Sequence, residues 1–284
     1  MLKLQTDRKL SEFSTFGIGG SIRFFVEIRT PEEAGEAFRW AEELGLETRI
    51  VGKGSNSLFS DEPFDGLVLL NKIDACTIEG CDVSAGAGTS FAYLGIQSAK
   101  RGLTGLEFAS GIPATVGGAI WMNAGANGME TANALESVLF LPKTGEMREY
   151  RKSELTFGYR TSSFQSMDGC ILRAKFRLEV SETARENQLK IINARIQSQP
   201  LKDKSAGCIF RNPSKEISAG ALIDRCGLKG QAVGDATISS LHANFIINAG
   251  QATAKDVLAL IEIVQNKVFE QTGIHLEPEI RIWK

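Results

Sequence analysis

The chain has 284 residues, with 32 Lys plus Arg against 34 Asp plus Glu and a formal net charge of -2. With 43% hydrophobic and 23% charged residues, the composition is that of a folded globular protein and excludes a disordered chain, a fibre and a basic nucleic-acid binder. This length is near the upper limit for one hydrophobic core, so two or three packed subdomains with a cleft between them are expected.

Met1 to Arg8 lacks the apolar core of a signal peptide, and no apolar run is long enough to cross a bilayer, so a cytoplasmic protein without membrane contact is expected. Thr30-Pro31-Glu32-Glu33 reads as a capping box with proline at the first helical position, opening a helix that runs through Trp40 and stops at Gly45. Ile22 to Ile28 precedes it as a strand, and Arg49-Ile50-Val51 and Leu67-Val68-Leu69-Leu70 follow, which makes a small βαβ-like unit. Next come a helix near Phe91 to Lys100, the glycine-dense segment Gly111 to Gly128, and a hairpin turn at Pro142-Lys143-Thr144-Gly145. Leu172, Ala174, Phe176, Leu178 and Val180 alternate with charged residues, the mark of a half-buried strand. A polar helix around Glu182 to Gln197 ends before Pro200, the candidate domain boundary. Helices from Ser218 to Cys226 and from Ala254 to Thr272 follow, the second opened by Thr253 and Asp256 and closed by Gly273, and a strand from Leu276 to Ile282 ends the pattern. The class is α+β.

Five cysteines (Cys76, Cys81, Cys170, Cys208, Cys226) form no Cys-x-x-Cys pair, which fits reduced thiols, four of them small core hydrophobes. His242 and His275 have no Cys or carboxylate at ligand spacing, so no metal is expected. The loop Gly52-Lys53-Gly54-Ser55-Asn56-Ser57 follows a short strand; its glycines suit either an anion-binding nest or a tight turn. It is not a Rossmann fingerprint, which would need glycine at Ser57, and no Gly-x-x-x-x-Gly-Lys-Ser/Thr loop occurs. In GIPATVGGAIWMNAGANG, from Gly111 to Gly128, the paired glycines permit either a large ligand or close packing of protein segments.

With Ser14-Thr15-Phe16-Gly17-Ile18-Gly19-Gly20, Phe157-Gly158-Tyr159-Arg160-Thr161-Ser162-Ser163-Phe164, Ser205-Ala206-Gly207-Cys208-Ile209-Phe210-Arg211-Asn212-Pro213, Leu222-Ile223 through Gly227-Leu228-Lys229-Gly230, Ser240-Leu241-His242-Ala243-Asn244-Phe245 and Leu276-Glu277-Pro278-Glu279-Ile280, these loops stand in a family's order. The chain resembles the UDP-N-acetylenolpyruvoylglucosamine reductases almost end to end. The resemblance implies a two-subdomain FAD-binding region of the vanillyl-alcohol-oxidase type, at 1–72 and 73–184, and a C-terminal α+β substrate-binding domain at 185–284. The last strand, about 276–284, would pack back on the second subdomain. The short stretch between Arg160 and Cys208 matches the compact subclass, which lacks an inserted tyrosine-bearing loop.

The implied chemistry is NADPH-dependent reduction of UDP-N-acetylglucosamine enolpyruvate through non-covalent FAD. Flavin N5 would deliver hydride to the enolpyruvyl methylene. Arg160 and Glu279 would hold the developing charge, and Cys208, where most such sequences have serine, would protonate C2. A thiol titrates near ~8.5 and is a stronger acid than a hydroxyl, so it suits that role. The family pattern puts FAD on Gly52, Gly54, Ser55, Asn56, Ser57, Ile112, Pro113, Thr115, Gly117, Gly118, Asn123 and Gly125. It puts the sugar nucleotide near Tyr159, Asn212, Lys229 and His242, with Arg211 as a basic neighbour. The expected partners are small molecules, and the expected state is a monomer.

Without the resemblance, Glu279 reads as a strand-edge glutamate facing water, Arg160 as a surface arginine beside an aromatic, and His242 equally as a satisfied structural histidine. A flavin oxidase of the same fold and a non-catalytic sugar-nucleotide-binding flavoprotein are the alternatives. The first commonly tethers FAD through His or Cys, yet no histidine precedes His242; the second would have lost Arg160 or Glu279.

Overall fold

The computed structural model describes residues 2–283. These fall into two units, one made of the chain up to Thr6, Phe24–Lys53 and Asp65–Ala194, the other of Asp7–Arg23, Gly54–Phe64 and Arg195 onward.

In the first unit, Thr30 caps helix Pro31–Glu43 by accepting the Glu33 N–H at 3.2 Å, and the proline leaves no amide unpaired. The capping box is only half made: the Glu33 carboxylate takes the N–H of Arg29, at 2.6 Å, because Arg29 continues the turn beyond the cap. The helix connects strand Ser21–Ile28 to strand Glu47–Val51, which runs parallel to Phe64–Asn71. Ala34, Ala37, Phe38 and Ala41 recur at helical spacing and bury one face against Val26, Ile28, Leu67 and Leu69.

A five-stranded antiparallel sheet forms the rest of this unit, in the order Arg148–Arg151, Leu135–Pro142, Gly169–Arg177, Asp82–Gly86, Cys76–Glu79. Along its central strand Cys170 and Leu172 join one core, while Ile171, Ala174 and Phe176 join a second with helices Phe91–Lys100 and Val116–Trp121. Val180, expected to continue the buried alternation, is 78% exposed; the strand stops at Arg177, and Glu179–Val180 pairs instead with Leu103–Thr104. The cysteines also depart from expectation. Only Cys170 is buried, whereas Cys76, Cys81 and Cys226 are half-buried at the core margins, and no disulfide forms among the described residues.

The second unit holds the antiparallel order Lys204–Cys208, Phe245–Asn248, Ala236–Ile238, Ala232–Val233. Helix Ala254–Thr272 packs on it through Val257, Leu260, Ile261, Val264 and Val268, each such burial worth roughly 1.5–3 kcal/mol. Its ends behave as the sequence predicts: Thr253 and Asp256 complete a capping box, and Gly273 ends the helix in the left-handed region at φ 71. The Asp61 carboxylate adds a second cap, accepting the Ala254 N–H at 2.8 and 3.0 Å. The closing strand is shorter than expected, Arg281–Trp283, parallel to Ser57–Phe59. Pro278 has no N–H for a ladder, so the stretch before Arg281 keeps only an isolated bridge to Phe210. Among the described residues no helix is long and apolar enough to cross a membrane.

Candidate active site

The predicted site residues divide between the units. Gly52, Ile112, Pro113, Thr115, Gly117, Gly118, Asn123, Gly125, Tyr159 and Arg160 belong to the first, and Gly54, Ser55, Asn56, Ser57, Cys208, Asn212, Lys229, His242 and Glu279 to the second.

In the first unit most of the glycines meet protein. A Cβ on Gly52 would lie 2.4 Å from Thr115 Oγ1, one on Gly117 2.9 Å from the Ala87 Cβ, and one on Gly125 2.5 Å from the Met129 carbonyl. Gly118 differs, since its nearest neighbour is Thr115 Oγ1 at 3.5 Å, an ordinary contact, and it is exposed. Thr115 caps helix Val116–Trp121 through the Gly118 N–H. Among the described residues the buried Thr89 hydroxyl has no hydrogen-bond partner, and the Thr89 carbonyl takes the Val116 N–H at 2.9 Å. Residues Ile112 to Gly118 carry no charged side chain. An uncharged segment with one exposed glycine, beside an unmatched hydroxyl, fits the flavin dinucleotide expected there.

Asn123 is fully buried and left-handed, at φ 42. Its amide nitrogen donates to Glu130 Oε2 at 2.8 Å and to the Gly158 carbonyl at 2.9 Å, while its oxygen accepts the Ala132 N–H. Its side chain thus ties strand Gly125–Ala126 and its partner Met129–Glu130 to the strand that carries the next predicted residues. Those strands, Phe157–Gly158 and Thr161–Ser162, are joined by the two-residue turn Tyr159-Arg160. Arg160 takes φ 59, a conformation that costs a residue with a Cβ about 1–2 kcal/mol. Its guanidinium donates to the Gly125 carbonyl at 3.0 Å and lies over the Tyr159 ring, 4.9 Å from the centroid.

In the second unit Gly54 is also required by packing. It is left-handed at φ 57, and a Cβ would stand 2.1 Å from the Phe13 carbonyl. Thr15 Oγ1 donates to the Ser205 carbonyl at 2.7 Å, joining the Ser14 to Gly20 motif to the strand that ends in Cys208. Gly207, at φ 75, breaks the register between Ser205 and Cys208 and re-aims the thiol. The chain after Cys208 runs against the Glu279 segment: the Glu279 N–H donates to the Ile209 carbonyl at 2.7 Å and the Arg211 N–H to the Glu277 carbonyl at 2.9 Å. Asn244, 3% exposed, serves as the missing strand partner on the other side, accepting the Phe210 N–H at 2.9 Å and donating to its carbonyl at 2.8 Å. Asn56 Nδ2 donates to the Glu279 carbonyl at 3.2 Å, and the Arg281 N–H to the Asn56 carbonyl. Cys208 and Glu279 are both half-buried.

Three arginines of this unit stand out, two of which the sequence reading did not single out. Among the described residues Arg195 and Arg211 each have a buried Nε without a hydrogen-bond partner, and Arg281 stands within electrostatic reach of Arg211 and Glu279. Burial holds the Arg281 guanidinium below its ordinary range, the charge of Arg211 adds to this, and Glu279 opposes it. Burial likewise lowers Arg195, against the opposing pull of Cys208. Arg281 had a readable signal, since on an extended chain it shares a face with Glu279 two residues before it. Arg195, in the last turn of helix Ala184–Ser198, had none. Among the described residues no three His, Cys, Asp or Glu side chains could jointly hold a metal.

The remaining predicted residues have partners of their own. Asn212 Oδ1 accepts the Ala219 N–H at 3.1 Å and helps cap helix Ala219–Arg225, and Lys229 pairs with Asp224 at 2.8 Å. His242 Nδ1 accepts the Asn244 N–H at 3.3 Å, which requires the neutral ring. Burial keeps its pKa below the usual histidine range, assisted by the positive charges of Lys229 and Arg195.

Residues 22–151 match the FAD binding domain family, and residues 199–283 match the family described as UDP-N-acetylenolpyruvoylglucosamine reductase, C-terminal domain. The protein named UDP-N-acetylenolpyruvoylglucosamine reductase from Protochlamydia amoebophila is 52% identical over 98% of this chain and 93% of its own length. Its namesake from Chlamydia muridarum is 46% identical over 98% of this chain and 94% of its own. A crystal structure of the reductase from Thermus caldophilus, 39% identical, superposes with a TM-score of 0.85 over 100% of this chain and 99% of that one. The chain therefore belongs to the UDP-N-acetylenolpyruvoylglucosamine reductase family.

Proposed function

We propose that the protein reduces UDP-N-acetylglucosamine enolpyruvate to UDP-N-acetylmuramate with NADPH in peptidoglycan precursor synthesis, as an FAD-dependent oxidoreductase. FAD, when bound, supplies a two-electron carrier that takes hydride from NADPH and passes it to the enolpyruvyl methylene. The residues of Ile112 to Gly118, with Gly52 packed against Thr115, would hold it. The cofactor region is drawn at 1–72 and 73–184 and the substrate domain at 185–284, with 7–23 and 54–64 of the first span grouping instead with residues 195 onward; the ends, 1 and 284, lie outside the described residues.

The enolpyruvyl carboxylate is gripped by the Arg160 guanidinium, whose planar fork matches it with two parallel bonds. As hydride adds to the methylene, negative charge builds on C2 and the carboxylate; Arg160 and Glu279 stabilise it. The Cys208 thiol then gives its proton to C2, the double bond is saturated, and NADPH has become NADP+. Tyr159, Asn212, Lys229 and His242 line the path of the sugar nucleotide. Arg211 and Arg281 beside Glu279 add positive charge suited to an anionic substrate. On this reading the protein acts in the cytoplasm as a monomer, on small-molecule partners.

The observation that carries this reading is the bond from Glu279 N–H to the Ile209 carbonyl, which sets the acid-bearing segment directly beside the thiol-bearing one. Cys208→Ala tests it. In that variant flavin is still reduced by NADPH, while substrate-dependent NADPH consumption, followed by its absorbance, falls at least ~100-fold, as expected for loss of a general acid. Unchanged turnover would remove Cys208 from the mechanism.

A further inference from the structure

Arg160 occupies the third position of a four-residue turn with φ 59, where glycine or asparagine ordinarily sits. An arginine stays there only if its surroundings over-determine the backbone. The Gly125 carbonyl holds the tip of the side chain, but the main chain needs its own restraint. Gln165 provides one. Its amide nitrogen donates to the Arg160 carbonyl at 3.0 Å and to the Trp121 carbonyl at 2.9 Å, so both of its donors reach main-chain oxygens. Trp121 is the last residue of helix Val116–Trp121, and the Ser162 hydroxyl donates to the same carbonyl at 2.8 Å. The turn is therefore hung from the end of a helix by two side chains. Gln165 is itself fixed in a short helical turn, Ser163–Gln165, that buries Phe164 to 1% exposure. Fixing the Arg160 carbonyl fixes its ψ angle, and with it the direction in which Cβ and the guanidinium leave the chain.

We infer that Gln165 is a positioning residue: through the Arg160 carbonyl it holds the left-handed turn that aims the guanidinium at the substrate carboxylate. The inference rests on the proposed role of Arg160, and its experiment separates the two. Gln165→Met keeps length and apolar stem but has no donor, whereas Gln165→Lys keeps donors that can serve both carbonyls. In the FAD-loaded enzyme, the two half-reactions are followed separately by flavin absorbance in stopped flow. In Gln165→Met, reduction by NADPH stays within about twofold of the parent. Reoxidation by UDP-N-acetylglucosamine enolpyruvate slows on the order of 10–100-fold, as a group displaced by about 1 Å would cause. Gln165→Lys recovers most of that loss.

An unchanged second half-reaction in Gln165→Met would overturn the inference. So would equal slowing of both halves, the sign of general loosening, or a Gln165→Lys variant as slow as Gln165→Met. Arg160→Ala assigns the fault. If it slows the second half-reaction while Gln165→Met does not, only the role of Gln165 is lost; if it too leaves that half-reaction unchanged, the reading of Arg160 falls and takes the inference with it.

Discussion

Each unit presents its proposed catalytic groups in a different way, and each relies on one buried asparagine. Arg160 stands on a turn held by side chains: Asn123 grips the Gly158 strand, Gln165 the Arg160 carbonyl, and Ser162 the helix end. Cys208 and Glu279 stand on neighbouring stretches of main chain, joined by backbone hydrogen bonds and completed by Asn244 standing in for a strand. Side-chain fastening lets one substitution move one group. Backbone fastening moves both groups together or neither, which suits two residues that must act on the same carbon.

The sharpest way to break this contrast is Asn244→Ala. It leaves the buried Phe210 N–H and carbonyl without partners, so a loss of about 2–4 kcal/mol is expected in urea unfolding, with Cys208 and Glu279 activities falling together. Asn123→Ala removes three bonds but none from a strand-like pair. A loss of about 1–3 kcal/mol is expected, and substrate-dependent flavin reoxidation should fall by more than the change in stability accounts for. If the two variants lost both functions alike, the distinction between side-chain and backbone fastening would be void. Asp61→Asn weakens the outer cap of helix Ala254–Thr272 and should cost about 0.5–1 kcal/mol in the same unfolding assay, with the half-reactions unchanged.

The smallest effect is a pH slope from His242, whose folded-state pKa lies below its unfolded value. Above the unfolded value near ~6.5 the ring is neutral in both states and costs nothing. As pH falls through that value the unfolded chain takes up the proton first, so stability drops until the folded pKa is reached. Protonation of Nδ1 would also end the bond from Asn244. His242→Asn should flatten this acid limb of the unfolding free energy, and an unaltered limb would mean the ring is not the group responsible.

Helix boundaries were legible in the sequence because their causes are local: Thr253, Asp256 and Gly273 act within a few residues of the ends they fix. The cofactor glycines were legible as a pattern but not as a purpose. Gly52 answers to Thr115 and Gly117 to Ala87, partners distant in sequence, and only Gly118 leaves backbone accessible. Asn123 shows the same limit, since all three of its bonded groups become neighbours only after the hairpins form. The last strand was overread because Pro278, which has no amide for a ladder, was counted inside it. Arg281 was within reach, two residues past Glu279, but its nearness to Arg211 was not, because the two are distant in sequence and meet only in the fold.

Cys170 lies at 0% exposure, where burial, against the donation from Asn71, pushes its thiol up to about 12. An alkylating reagent can therefore reach it only when the surrounding sheet opens. Its labelling rate in the native protein is a built-in clock for breathing of the FAD-binding unit, read from one sulfur atom without an introduced probe.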